Sequence, residues 1–319
     1  MPFSHHVVRS RADWLWKRRL SAAAAVSVCL LQAGAQPLRP FDRAQFRTDA
    51  SLVLVPVTVT DRWGSNIRGL GVESFTVLDN RQPQPIAAFY SEDAPSSIGI
   101  VLDVSGSTRN ILEQEKAAVR AFLRFSNPED DFFLITVSST PRIVADRVND
   151  PHEIEDLLRS ENAGGGTALC DTVYFALHQA RLRAKSRRAL LVISDGMDNH
   201  SHFSRRDLIR EVVESDTQIH AVALDNPGVG VKGVAIAEIQ RGLAFMDDLA
   251  EKSGGLSVRL RGHEDPSAAA ARISAAIRNQ YVIAYPGPDC DRSEQWHRIQ
   301  VKVNLRKANV YARSGYQVR

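Results

Sequence analysis

Small oxygen-bearing side chains follow the apolar run IGIVL. The run ends at Asp103, and Ser105 and Ser107 come two and four residues later. Thr167 closes the loop NAGGGT, and Asp195 ends a second apolar run, ALLVISD. Two carboxylates and three hydroxyls are hard oxygen ligands, which suit Mg²⁺, with Mn²⁺ or Ca²⁺ as alternatives. Because the set contains no thiol or imidazole, it suits zinc or copper less well.

The charge of this set predicts what a bound ion would attract. Three of the five groups are neutral, so the ion can still attract an anion, and an octahedral Mg²⁺ shell also keeps water. We therefore expect an exchangeable position that accepts an Asp or Glu carboxylate from a partner protein. Glycine at position 106 and at positions 164–166 is expected to let the backbone approach the ion closely.

The elements that must position these groups follow an α/β pattern. From residue 98 to 279, apolar runs typical of buried parallel strands alternate with helical segments. The helical segments are predicted at 111–125, 151–159, 169–184, 204–214, 246–252 and 266–279. This predicts a doubly wound, mostly parallel sheet, whose ligand sites form outside the carboxyl ends of the strands. Singly, the motifs have simpler explanations: Ser105 or Ser107 could cap the next helix, and SDG could be an ordinary turn.

The segments on either side of the α/β region read as strands. Residues 49–92 and 280–319 each carry about three short β-patterned runs, and fragments of this size rarely fold alone. We therefore predict one β subdomain built from both segments, with the α/β domain, residues 96–279, inserted between them. Pro56 lies inside the first run and indicates an edge or a bulge.

Taken together, the motifs DVSGS, GGGTAL and ISDGMDN resemble the metal-ion-dependent adhesion site of von Willebrand factor type A domains. The flanking segments resemble the bacterial VWFA-related family. The resemblance implies a von Willebrand A-like, Rossmann-like domain that binds proteins and does not catalyse a reaction. The ligands that it implies, direct or through water, are Asp103, Ser105, Ser107 and Thr167. Asp195 would hold a metal-bound water or a ligating hydroxyl, and Ser194 departs from the family in a place where Thr is common.

Two other functions fit parts of the sequence less well. A metal-assisted hydrolase could use the same ion, but it needs a general base, and only His200 and His202 lie in the motif loops. These two histidines also have the spacing of a second metal site, although a solvated loop is the simpler interpretation. The glycines of GVGVKG, residues 228–233, match a dinucleotide fingerprint, but no second strand ends in an acid about 20 residues later.

The first 35 residues resemble an export signal. A basic segment ends at Arg19, the apolar run from Leu20 to Leu31 follows, and Ala33 and Ala35 occupy the positions that a signal peptidase reads. The run is shorter than the ~20 residues that span a bilayer, so we expect cleavage and no stable membrane span afterwards. A linker, residues 36–48, would then begin a secreted or periplasmic protein.

The net charge and the cysteines give less information about partners than the motifs do. Without residues 1–35 the chain has 35 Lys and Arg against 36 Asp and Glu, a net charge of −1, which gives no support to nucleic-acid binding. The basic run at 181–188 closes a predicted helix, where cations are favourable. Cys170 and Cys290 could pair in an oxidising compartment, but a buried free thiol at Cys170 is preferred because it lies in an apolar helical stretch.

Overall fold

The computed structural model describes residues 52–91, 93–183, 185, 187–225, 234–262, 264–287 and 296–317. The predicted export signal, the linker, the 228–233 motif and Cys290 lie outside the described residues. The described strands are β1 Leu52–Thr60, β2 Phe75–Asp79, β3 Gln82–Gln84, β4 Ala88–Tyr90, β5 Ser96–Asp103, β6 Asp131–Val137, β7 Arg142–Val148, β8 Arg187–Ser194, β9 Gln218–Asp225, β10 Ser257–Arg261, β11 Tyr281–Pro286, β12 Trp296–Val303, β13 Asn309–Ala312 and β14 Gly315–Gln317. The described helices are α1 Leu112–Phe125, α2 Pro151–Ser160, α3 Leu169–Arg181, α4 Arg205–Glu214, α5 Val234–Ser253 and α6 Ser267–Arg278.

A six-stranded sheet in the order β10-β9-β8-β5-β6-β7 forms the centre of the α/β region. All of its pairs are parallel except the pair of β6 with the edge strand β7. Strands β5 and β6 are buried along their whole length, which explains why their sequences are apolar runs without polar alternation. The predicted fold class, a largely parallel α/β sheet with flanking β structure, is confirmed.

Helices cover both faces of this sheet. Ile98, Ile100 and Leu102 of β5 belong to a core with α1, α2 and α6, whereas Val101 of the same strand belongs to a core with α3, α4 and α5. Successive side chains of a strand point to opposite faces, so a single apolar strand supplies both cores. Among the described residues, no helix combines the length and the apolar character needed to cross a bilayer.

Strands from before and after the α/β region pair with each other. They form two antiparallel sheets, in the orders β13-β1-β11-β4 and β14-β12-β2-β3, and each sheet contains strands from both ends of the chain. Alternate residues of β1, Val53 to Val59, pack with residues of β2, β11 and β12 in one apolar core. Pro56 pairs with β11 on one side only, because the pairing of β1 with β13 begins at Val57. Its missing N–H therefore costs no ladder hydrogen bond there.

A buried aspartate connects these two sheets. Asp79 at the end of β2 accepts hydrogen bonds from the hydroxyls of Tyr285 in β11, at 2.9 Å, and Tyr316 in β14, at 2.8 Å. Its other oxygen lies 2.7 Å from Nδ1 of His297 in β12. Since four strands meet at one carboxylate, we expect it to stabilise the β sandwich strongly.

The predicted helices agree with the observed ones to within a few residues, except for α5. The sequence predicted residues 246–252, whereas α5 begins at Val234. Gly242 interrupts the helical pattern, because glycine is unfavourable inside a helix. In the structure it packs against the backbone of Asp195 and Gly196, where a Cβ atom would lie 2.7 Å from the Asp195 carbonyl oxygen. The glycine that obscured the helix therefore lets the helix approach a predicted site loop.

Candidate metal site

The chain changes direction across the sheet between β5 and β8. From β5 it runs outward to β6 and β7, then returns to β8 on the other side of β5. Leu102 and Ile193 are register partners, so Asp103 and Ser194 end neighbouring strands at the same edge. Such a switch point is where open α/β sheets form ligand sites.

Asp103 lies at the centre of this edge and is fully buried. One of its oxygens accepts the Ser105 amide at 2.9 Å, and the other accepts the Ser194 hydroxyl at 2.6 Å. Burial, followed by repulsion from Asp195, raises the pKa of the Asp103 carboxyl to about 6. The carboxylate is thus held in position by neutral donors, and no cationic side chain among the described residues balances its charge.

The two serines of DVSGS do not act as helix caps. A short 3₁₀ turn, Gly106–Asn110, follows Ser105 and precedes α1, and neither element has a side-chain cap. The hydroxyls of Ser105 and Ser107 instead lie 3.0 Å apart. The Thr108 hydroxyl lies within hydrogen-bond distance of the carbonyls of Asp103 and Ser105, at 3.2 and 3.0 Å, and so fixes the turn. Ser105 is buried and Ser107 is exposed, so this pair extends from the interior to solvent.

The loop that carries Thr167 pairs with the loop after β5. Gly106 donates its N–H to the Gly165 carbonyl at 3.0 Å, and Gly164 donates to the Val104 carbonyl at 2.8 Å. A Cβ atom on Gly106 would lie 3.1 Å from the Gly165 oxygen, and Gly165 has a φ of +80°. The glycines that were expected to approach an ion therefore make close contacts between loops. Thr167 follows directly and is buried.

The loop after β8 carries the last predicted residue of the site, Asp195. Asp195 accepts the Met197 amide at 2.9 Å, so SDG does form a turn, and the carboxyl also interacts with the Ser107 hydroxyl. Burial raises the pKa of the Asp195 carboxyl. Gly196 has a φ of +76°, and a Cβ atom there would lie 2.1 Å from the Gly242 carbonyl oxygen. The turn is therefore fixed against α5 by a contact that requires glycine.

Residues beyond the predicted set hold this loop against Thr167 and α3. Asn199 accepts the Thr167 amide at 2.9 Å and returns its own N–H to the Thr167 carbonyl at 3.0 Å. Asp198 accepts the Cys170 amide at 2.7 Å, which ties the loop to the start of α3. Cys170 is a buried free thiol, and burial together with Asp198 raises its pKa. The motif ISDGMDN therefore carries both a candidate ligand and its supports.

The two histidines of this loop contact different partners. His202 is exposed, and its ring lies 2.8 Å from the Asp171 carboxylate. His200 is exposed too, and its ring lies against Gly166, where a Cβ atom would approach it to 2.8 Å. In the part of the chain that the structure describes, no group of three or more His, Cys, Asp or Glu side chains could hold a metal ion. The H-x-H pair therefore has no third ligand of these types there.

Asp103 ends β5, and the other four predicted residues lie on the three loops that these hydrogen bonds bring together. Asp103 and Asp195 are both buried, and each lies where a negative charge is unfavourable. A divalent cation between them would replace this repulsion with attraction, and three hydroxyls offer further oxygen ligands. The residues present thus fit a hard divalent ion.

Sequence reasoning missed one buried acid near this site, Glu115 in α1. It follows Leu112 by three residues and precedes Val119 by four, so it lies on the apolar face of the helix. That position, an acid in a buried stripe, was the available signal. Burial raises its pKa well above the usual range, and the charges of Asp103 and Asp195 raise it further.

Comparison with known proteins supports the resemblance. Residues 98–197 match the family model of the von Willebrand factor type A domain, and the matched segment contains the three motifs. This confirms the resemblance to von Willebrand factor type A domains that the motifs predicted. A search of curated proteins found no match.

Several solved structures are similar at low identity. BatB from Bacteroides thetaiotaomicron is 17% identical, covering 57% of this chain and 98% of that chain, with a TM-score of 0.47. A von Willebrand factor type A protein from Catenulispora acidiphila is 12% identical, covering 86% and 74%, with a TM-score of 0.48. Proximal thread matrix protein 1 from the mussel byssus, solved with a zinc-occupied MIDAS motif, is 15% identical, covering 62% and 49%, with a TM-score of 0.43.

Proposed function

We propose that this protein is an exported, metal-dependent binding module that captures a carboxylate of a partner protein. Its von Willebrand factor type A domain is of a kind that mediates protein interactions. The residues proposed to hold the ion, directly or through water, are Asp103, Ser105, Ser107, Thr167 and Asp195. Mg²⁺ is the preferred ion, with Mn²⁺ or Ca²⁺ as alternatives.

The convergence of three loops at the switch point carries this proposal. Two buried carboxylates meet at one edge, and neutral hydroxyls, not cationic side chains, surround them. Keeping two like charges together in a buried place is unfavourable in itself, so the arrangement is best explained by a cation that it is built to bind.

The residues of the site would have different roles in binding. Asp103 is fixed by the Ser105 amide and the Ser194 hydroxyl, so one carboxylate is oriented before an ion arrives. The exposed Ser107 leaves this edge open to a partner. When bound, a divalent ion supplies positive charge and an exchangeable position, which a partner's Asp or Glu can occupy.

Binding is favoured over metal-assisted hydrolysis because neither histidine of the motif loops is well placed to act as a general base. A hydrolase needs a basic group within hydrogen-bond reach of the reacting water. His202 is paired with Asp171, and His200 is an exposed side chain packed on Gly166. The alternative predicts that His200→Ala abolishes a hydrolytic activity while metal binding persists.

The decisive experiment is calorimetric titration of the mature protein with Mg²⁺ and with Mn²⁺. Asp103→Ala should abolish metal uptake while the circular dichroism spectrum stays that of a folded protein, because the loop lies at the rim of the sheet. Ser105→Ala should weaken binding less, since water can replace one neutral ligand. Asp156→Ala, at an exposed position of α2, is the control and should bind as the wild type does.

Two outcomes would overturn the proposal: no binding of either ion by the wild type, or equal affinities for the wild type and Asp103→Ala. The proposal also says that a partner protein attaches through the ion. Capture of envelope proteins by the immobilised wild type in Mg²⁺, compared with EDTA and with Asp103→Ala, tests this part. A bound protein that resists both EDTA and the substitution would contradict attachment through the ion.

A further inference from the structure

Among the described residues, Glu115 is a buried acid whose carboxyl oxygens have no hydrogen-bond partner. It lies in the first turn of α1 and has no exposed surface. Neither carboxyl oxygen makes a hydrogen bond of normal geometry. The Thr108 hydroxyl lies beside the carboxyl, but its one hydrogen is shared with the carbonyls of Asp103 and Ser105, which lie 3.2 and 3.0 Å from its oxygen. Buried polar groups are nearly always satisfied, so this exception requires an explanation.

The charged groups that act on Glu115 belong to the candidate metal site. Asp103 and Asp195 both disfavour its ionised form. The neighbouring Lys116 does not compensate, because its ammonium lies 2.9 Å from the exposed carboxylate of Glu113. Three acids are therefore gathered in one electrostatic environment, and the nearest cation along the helix is already paired.

A structural explanation of Glu115 is unsatisfactory. The position lies on the apolar face of α1 between Leu112 and Val119, where an apolar side chain would pack without any cost of desolvation. Among the described residues, an acid there makes no salt bridge, and it does not cap α1. What distinguishes the position from the rest of the stripe is that both carboxyl oxygens are buried beside Thr108, whose hydroxyl contacts the carbonyls of Asp103 and Ser105.

We infer that Glu115 supplies a third negative charge to the metal site from beneath the turn, without being one of the ligands. This inference rests on the proposed function. A divalent ion held by Asp103 and Asp195 would reverse the field at Glu115 and favour its ionised form. The extra charge retains the ion more tightly. The same charge opposes a partner's carboxylate, so attachment of the partner stays reversible while the ion remains bound.

The inference predicts opposite effects of one substitution. Glu115→Gln keeps the shape and removes the charge, so in EDTA its melting temperature should be higher than that of the wild type by about 2–4 °C. Its affinity for Mn²⁺ should fall by about 10-fold or more, as expected when a supporting charge is removed from a metal site. At saturating Mn²⁺, binding of a Glu-containing peptide should become tighter. A merely structural residue would lower the melting temperature and leave the Mn²⁺ affinity unchanged.

The experiment is calorimetric titration with Mn²⁺ and thermal unfolding in EDTA on the full mature chain. Asp156→Asn is the control, because Asp156 is an exposed acid of α2, and both readouts should stay within about two-fold and about 1 °C of the wild type, roughly the precision of such measurements. Glu115→Met, which is also uncharged, should reproduce the loss of Mn²⁺ affinity and guards against poor folding of the amide variant.

The possible failures are distinguishable. A wild type that binds no Mn²⁺ refutes the proposed function and this inference with it. A wild type that binds Mn²⁺, with Glu115→Gln or Glu115→Met binding equally well, refutes the inference alone. A lower melting temperature of Glu115→Gln in EDTA also contradicts it.

Discussion

The metal-free protein should be less stable at pH 7 than at pH 4.5, and Asp103 should account for about 2 kcal/mol of the difference. The pKa of its carboxyl is about 6 in the folded protein, against 3.8 for an unperturbed aspartate. Between these values the folded state binds more protons than the unfolded state, so stability falls as the pH rises through this window. Above it the full penalty applies. The two pKa values differ by an amount that corresponds to about 3 kcal/mol of unfolding free energy.

The two other acids of this region act in the same direction. Burial raises the pKa of Asp195 and of Glu115, so neither opposes the trend. Asp103→Asn should remove the penalty of the central carboxylate and leave a shallower pH dependence. In a protein of this size, 3 kcal/mol corresponds to a shift in melting temperature of about 5 °C.

The assay is urea unfolding in EDTA at pH 4.5, 5.2, 6.0 and 7.0, on the wild type, Asp103→Asn and the exposed control Asp156→Asn. The wild type and the control should lose at least about 2 kcal/mol between pH 4.5 and 7.0, and Asp103→Asn should lose about 2 kcal/mol less than they do. Saturating Mg²⁺ should reverse the slope for the wild type, because metal and protons compete for the same carboxylates. A wild type whose stability in EDTA rises with pH, or an Asp103→Asn variant with an unchanged slope, would refute the reasoning.

Two further predictions concern the scaffold. Gly196→Ala should destabilise the protein by more than about 2 kcal/mol and weaken Mn²⁺ binding, because its Cβ would lie 2.1 Å from the Gly242 carbonyl oxygen. Gly262→Ala is the control: Gly262 also has a positive φ, but no atom lies within 4 Å of the position of its Cβ. This variant should cost only about 1 kcal/mol in urea unfolding. Equal losses for the two variants would contradict the contact. Asp79→Asn should cost about 2–4 kcal/mol in the same assay, since two buried tyrosine hydroxyls and a partly buried histidine lose a charged acceptor, but should leave Mn²⁺ affinity unchanged. A loss similar to that of exposed Asp156→Asn would show that the aspartate does not join the sheets.

The sequence predicted the parts of this structure that depend on local patterns. An apolar run that ends in Asp103 identifies both a buried strand and its carboxyl end, so fold class and candidate ligands follow from one signal. The limits of α5 could not be predicted, because Gly242 is unfavourable in an isolated helix and is explained only by the loop that it contacts. Glu115 was missed for a similar reason: its surroundings come from two strand ends that lie 12 and 80 residues away in the sequence.

The burial of the acids at this edge of the sheet couples ion binding to folding. The strands of the central sheet are held by two apolar cores that do not involve the site, so the fold does not need an ion to form. The acids at the switch point are different: each is buried, and each is less favourable when charged in the folded protein than in an unfolded chain. An ion that binds only the folded state adds stability that grows with its concentration, about 2.7 kcal/mol at 100 times the dissociation constant. That gain is comparable to the penalty estimated for Asp103 alone. The metal-free protein should therefore remain folded, with acids at this edge whose charged forms are unfavourable. A bound ion should relieve this penalty at the same edge where the partner is proposed to bind.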